Sequence, residues 1–148
     1  MISLLNRAEP KEFWESFLSH WSGCDRTWED NDRWLRLLRR ASRKVRASLY
    51  YKTAALAFFD DLPDLVTVYR GCSRERVKGI AWTTVKNVAK GFAEGHRAIR
   101  IPNPVLATAK VAKNEILAVI VDRSECEVIY RPQHLTRIEE CAELRMID

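Results

Sequence analysis

The sequence predicts an α+β protein, with helices in residues 1–62 and short strands in residues 63–148. Between Cys24 and Leu62 there is no Gly or Pro, and apolar residues recur at helical spacing. After Pro63, short runs rich in β-branched residues alternate with polar loops, as in a sheet. A chain of 148 residues fits one domain. We therefore expect a helical lobe packed on a mixed, largely antiparallel sheet core.

Composition excludes several classes of protein. An apolar content of 47% with 30% charged residues indicates a folded domain rather than a disordered chain. No apolar run is long enough to cross a membrane and the N-terminus lacks a signal-peptide core, so we expect a cytoplasmic protein with no membrane partner. The four cysteines and three histidines show no ligand spacing, so no metal site and no disulfide scaffold are expected.

The helical half carries a basic stripe. A first helix is predicted from Pro10 to Trp21, and a second apolar pattern from Trp34 onwards fits either one long helix or two helices with a break at 46–51. The outer face of this second pattern, Arg33–Arg46, is rich in arginine. It could follow a nucleic-acid backbone, but a solvated helix face is favoured because no aromatic residues interleave with the arginines. The net charge of +5 favours acidic partners only weakly.

The second half alternates predicted strands with loops. A helix is expected at Thr84–Glu94, with Thr84 as its cap and Val88 and Phe92 facing inward. A short closing helix is expected at Arg137–Glu143. The predicted strands are Leu65–Tyr69, Ile80–Thr84, Ile99–Ile101, Val105–Val111, Ile116–Val121 and Glu125–Tyr130.

Two glutamates in the last of these strands are candidate functional residues. Ile116–Val121 is continuously apolar and is expected to be buried on both faces, and Asp122–Ser124 then turns the chain. Since side chains alternate along a strand, Glu125 and Glu127 should share one face. They form either the wet face of an edge strand or a site that meets water or a cationic ligand.

Three short motifs, in order, resemble the R-S-E class of mono-ADP-ribosyltransferases. They are Tyr69-Arg70-Gly71, Trp82-Thr83-Thr84 leading into a helix, and Glu125-Cys126-Glu127-Val128. The resemblance covers residues 65–132 and implies a sheet core of ADP-ribosyltransferase type that binds NAD as co-substrate. The class includes toxins of the cholera and clostridial type and phage-encoded enzymes.

The resemblance implies a role for each motif residue. Arg70 would hold the NAD phosphates, which suits a forked and permanently charged guanidinium, and Gly71 would let the backbone approach the ligand. The usual second motif contains Ser and Thr. Here Thr83 would supply the hydroxyl and Trp82 a wall of the cleft. If the serine of the family aligns with Ala81 instead, its hydroxyl is missing.

The third motif would carry the chemistry. Glu127 matches the catalytic glutamate, which would bind the 2′-hydroxyl of the nicotinamide ribose and stabilise the developing positive charge. Glu125 matches the first glutamate of the Glu-x-Glu signature, which implies an arginine acceptor on a target protein because a carboxylate can orient a guanidinium. Two alternatives stay open: a catalytically silent binding protein of the same fold, with nucleic acid or an acidic protein as partner, and an enzyme that only hydrolyses NAD. The expected setting is a phage-encoded modifier, an anti-defence factor or an intracellular toxin.

Overall fold

A six-stranded antiparallel sheet forms the centre of the described fold. The structure is a computed structural model that describes residues 32, 36, 53–94, 101–121 and 126–140. Its helices are α1 (Thr53–Asp61) and α2 (Lys86–Ala93), with short 3₁₀ turns at Arg74–Arg76 and Lys113–Glu115. Its strands are β1 (Leu65–Ser73), β2 (Ala81–Thr83), β3 (Pro104–Ala112), β4 (Ala118–Ile120), β5 (Glu127–Ile129) and β6 (Arg137–Glu140).

The strands lie in the order β4-β5-β2-β1-β3-β6, and all the pairings are antiparallel. β1 and β3 pair along their whole length, from Leu65 opposite Ala112 to Ser73 opposite Pro104. β1 and β2 are joined by a single pair, Tyr69 opposite Thr83. The sheet therefore consists of a long ribbon and a group of short strands that meet at a narrow seam. This architecture confirms the α+β class.

The core lies on both sides of the short strands. Trp82, Val128 and Ile129 are fully buried, and Ala118–Ile120 are all buried. This confirms the expectation that the apolar run Ile116–Val121 contains a strand buried on both faces. The side chains of Phe58 and Phe59 bring α1 against this core, so the hydrophobic effect fixes the helix to the sheet.

Helix α2 packs on β1 through its small residues. A Cβ on Gly71 would overlap the carbonyl oxygen of Ala89 and would lie 2.7 Å from the backbone nitrogen of Ala93. Ala89 and Ala93 are accordingly the buried residues of α2. The expectation that Phe92 faces inward is wrong, because Phe92 is 37% exposed. Such a close approach of helix and strand leaves no room for a ring between them.

Two further local predictions are corrected. Thr84 does not cap α2, since Val85 is the N-cap and donates its backbone N–H to the Thr83 Oγ1 at 3.1 Å. The part of the predicted closing helix Arg137–Glu143 that the structure describes, Arg137–Glu140, is instead strand β6, in which Arg137 pairs with Thr108 and Glu140 with Val105. The free edge of β3 offers hydrogen-bonding groups that override the helical preference of this short segment.

Several expectations fall outside the described residues. These are the helix at Pro10–Trp21, the turn at Asp122–Ser124 and all but the last residue of the strand at Ile99–Ile101, which is irregular at that residue. Of the basic stripe Arg33–Arg46, only Arg36 is described, and it is helical and exposed. Within the described part of the chain, no helix has the length and apolar character needed to span a membrane.

Lys113 ties the end of α1 to the sheet. Its Nζ donates to the carbonyl oxygens of Asp60 and Leu62, each at 3.1 Å, and lies 5.0 Å from the ring centroid of Phe59. A helix C-terminus leaves carbonyl groups without partners and attracts a positive charge. Lys113→Met keeps the aliphatic stem but removes both hydrogen bonds, so we expect the free energy of unfolding to fall by about 2 kcal/mol.

Denaturant unfolding measures this loss. The matched control is Lys110→Met, because Lys110 is exposed on β3; its effect should stay within about 0.5 kcal/mol. Equal effects of the two substitutions would contradict the assigned role of Lys113.

Candidate active site

Three separate parts of the chain meet on neighbouring strands. Tyr69 of β1 lies opposite Thr83 of β2, and Thr83 lies opposite Glu127 of β5. Directly opposed residues of an antiparallel pair share a face, with their Cβ atoms about 5 Å apart. The Thr83 hydroxyl and the Glu127 carboxylate therefore lie on the same side of the sheet. The structure thus brings together the second and third sequence motifs, with the first beside them.

Glu127 stands at the point where β5 begins. It is partly exposed, which a carboxylate needs if it is to meet a ligand. The residue before it, Cys126, has a left-handed backbone with φ of 48°, and its carbonyl oxygen accepts the N–H of Thr84 at 3.3 Å. Contact between the β2 and β5 segments thus continues past the end of the ladder.

The second candidate glutamate, Glu125, lies outside the described residues. Its expected position on the face of Glu127 assumed a regular strand from Glu125 onwards. The left-handed backbone at Cys126 and the start of β5 at Glu127 interrupt that alternation. The common face of the two glutamates stays a prediction.

Thr83 is positioned by the start of α2. It is 6% exposed, and its Oγ1 accepts the backbone N–H of Val85. A hydroxyl group that accepts one hydrogen bond still has its own proton to donate. Because Glu127 is opposite Thr83 in register, a Thr83 donor is well placed to orient that carboxylate.

Trp82 is a core residue. It is 2% exposed, and its Nε1 donates to the carbonyl oxygen of Gly79 at 2.8 Å. Its ring centroid lies 5.7 Å from that of Tyr130, with the planes inclined at 54°. Burial and the charge of Glu115 raise the pKa of Tyr130, so its phenol stays protonated. Because Trp82 is almost fully buried, it packs beneath the site and exposes too little surface to form the wall of a cleft.

Arg70 is bound to the backbone around it. Its Nε donates to the carbonyl oxygen of Arg76 at 3.0 Å, and its Nη1 donates to that of Ala81 at 2.9 Å. Burial lowers the pKa of Arg70, while Cys72 and Glu127 act in the opposite direction. The guanidinium nevertheless remains charged at neutral pH, because the pKa of arginine starts so high.

Cys72 lies beside this guanidinium. Burial raises the pKa of the Cys72 thiol, although the positive charge of Arg70 opposes the shift. The side chain is 7% exposed. Cys72 is therefore a protonated, enclosed thiol that packs against Arg70 and is a poor nucleophile.

Two glycines next to the site have steric roles. Gly71, expected from the resemblance to admit a ligand, is approached by the backbone of α2. A Cβ on Gly79 would overlap Nη2 and Cζ of Arg70 and would lie 2.7 Å from its Nε. Sequence reasoning missed Gly79, because no local pattern shows that an arginine nine residues earlier folds back over it.

No cluster of three or more metal-ligating side chains occurs among residues 53–94, 101–121 and 126–140. Comparison of the chain with known proteins gives no match to a family model, to a curated protein or to a solved structure.

Proposed function

We propose that the protein is an NAD-dependent mono-ADP-ribosyltransferase that modifies arginine on a target protein and releases nicotinamide. The observation that carries the proposal is the register Tyr69–Thr83–Glu127 across three neighbouring strands. Thr83 and Glu127, which are far apart in the chain, are brought to adjacent positions, and this supports joint action of the second and third motifs.

Glu127 is the catalytic residue in this proposal. Its carboxylate accepts a hydrogen bond from the 2′-hydroxyl of the nicotinamide ribose. As the bond between ribose C1′ and the nicotinamide nitrogen breaks, nicotinamide leaves with the bonding electrons and positive charge develops on the ribose. A fixed carboxylate stabilises this transition state more than the ground state, and therefore accelerates the reaction. Thr83 orients the carboxylate.

The acceptor completes the reaction. A nitrogen of the arginine guanidinium attacks C1′, the new C–N bond forms, and that nitrogen releases a proton to water. In the resemblance, Glu125 pairs with the incoming guanidinium and holds it in line with C1′. Arginine is the favoured acceptor because this position holds Glu.

Glu125→Gln separates transfer from hydrolysis. The purified variant should lose about 100-fold of its transfer to a small alkylguanidine, because the acceptor is no longer oriented. Release of nicotinamide with water as acceptor should continue within about threefold of the unmodified protein, since Glu127 is intact. Both products are measured in one incubation with labelled NAD.

The same incubation decides between the proposal and its alternatives. Nicotinamide without labelled guanidine would indicate an enzyme that only hydrolyses NAD. Neither product, with alkylguanidine or with a bacterial lysate as acceptor, would contradict the enzyme proposal and favour a silent binding protein of the same fold.

A further inference from the structure

The seam between β1 and β2 is the weakest junction of the sheet near the candidate site. One backbone pair, Tyr69 with Thr83, joins the two strands. On the other side of β2, the residues Ala81–Thr83 all pair with β5. Backbone pairing therefore fixes Thr83 to Glu127 more firmly than it fixes either residue to β1.

The side chain of Arg70 crosses this seam. It starts on β1, and its Nη1 bonds the Ala81 carbonyl of β2 at 2.9 Å. Its Nε bonds the Arg76 carbonyl, at the end of the 3₁₀ turn that leads from β1 to β2, at 3.0 Å. A single guanidinium therefore bonds both β2 and the turn that precedes it in the chain.

Gly79 makes the crossing possible. The guanidinium lies where any side chain at position 79 would stand. The carbonyl oxygen of Gly79 also accepts the indole N–H of Trp82, so this short segment supports Arg70 and Trp82 at once. Alanine at position 79 would push the guanidinium off its partners without altering the charge of Arg70.

We propose that Arg70 is a positioning residue, whose hydrogen bonds hold β2 against β1 across the seam. These bonds thereby fix the positions of Thr83 and Glu127 relative to the rest of the sheet. Gly79, which has no side chain, leaves the space that the guanidinium occupies. The consequence for the reaction rests on the function proposed above. This role differs from the contact with the NAD phosphates that the resemblance implies for Arg70. Side-chain alternation supports the difference, because Arg70 follows Tyr69 and projects from the opposite face of β1.

Hydrogen exchange tests, without any substrate, whether Arg70 holds β2 against β1. The variants are Arg70→Gln and Gly79→Ala. The control is Arg74→Gln, because Arg74 bonds Glu140 of β6 at 3.2 Å, on the other side of β1 and β3 from β2. The amide of Thr83 faces β1, because the next amide, that of Thr84, bonds Cys126 beside β5. It should exchange about 10- to 100-fold faster in both variants, as expected for loss of charged hydrogen bonds. In the control it should exchange as in the unmodified protein. Because Gly79→Ala acts through Arg70, the double variant should exchange no faster than Arg70→Gln alone.

Substrate truncation tests the role in the reaction. Nicotinamide riboside contains the bond that breaks but no diphosphate. A positioning role predicts that Arg70→Gln lowers nicotinamide release by the same factor, within about threefold, from NAD and from the riboside. A phosphate contact predicts a loss at least about tenfold larger with NAD.

The outcomes are separable. Unchanged exchange of the Thr83 amide in both variants, or a loss of nicotinamide release confined to NAD, would overturn the positioning role. Failure of the unmodified protein to cleave either substrate would contradict the proposed function instead, and the exchange data would still decide whether Arg70 fastens the seam.

Discussion

Glu127→Gln should lower the rate of nicotinamide release from NAD by about 10³-fold, the size expected when one group that stabilises transition-state charge is removed. Glutamine keeps the shape and can still bond a hydroxyl, but it carries no negative charge. The loss should appear in kcat, while the Kd for NAD changes by less than about threefold, because the ground state has little charge at the ribose.

Steady-state assays and calorimetric NAD binding measure these two quantities. Glu94→Gln is the matched control, since this glutamate is exposed at the end of α2. A rate within tenfold of the unmodified protein, or a loss explained by weaker NAD binding, would remove Glu127 from the catalytic role.

Gly71→Ala should destabilise the described fold strongly. The new Cβ would overlap the carbonyl oxygen of Ala89, so α2 must move away from β1. We expect a loss of at least about 3 kcal/mol in the free energy of unfolding, the upper part of the range for overpacked sites. Because the overlap is with backbone, shortening the side chain by Ala89→Gly should not rescue the variant.

Gly91→Ala provides the control within the same helix. A Cβ on Gly91 would meet nothing within 4 Å, and alanine favours a helix over glycine, so this variant should gain about 0.5–1 kcal/mol. Denaturant unfolding compares the two variants. A loss below about 1 kcal/mol for Gly71→Ala would show that α2 and β1 are packed more loosely than the structure shows.

Local patterns predicted those elements whose signal is contained in the segment itself. The apolar run around Val119 forms a strand buried on both faces, as a continuous apolar run predicts. Around Val68 the strand is half-buried, because the buried Val66 and Val68 alternate with the exposed Leu65 and Thr67. The charged residues of β6 carry no strand signal, so the local pattern predicts a helix there. Its structure depends on the free edge of β3, which lies about thirty residues away in the chain.

In the candidate site, too, some features follow from local sequence patterns and others depend on distant parts of the chain. The sequence motifs pointed to Thr83 and Glu127, and the register between them follows from the pairing of β2 with β5. The sequence could not predict that the Arg70 guanidinium lies over Gly79, or that α2 approaches Gly71 so closely. Both features depend on parts of the chain that only folding brings together. Gly71 in particular reads equally well as a ligand-facing and as a helix-facing glycine.

The most direct test of the central claim is a crystal structure of Glu127→Gln with NAD, because the slow variant should keep the co-substrate intact. The proposal predicts the nicotinamide ribose on the face shared by Thr83 and residue 127, with its 2′-hydroxyl about 3 Å from the side chain at position 127. NAD bound elsewhere, or absent at millimolar concentration, would contradict the proposal that this row of residues cleaves NAD.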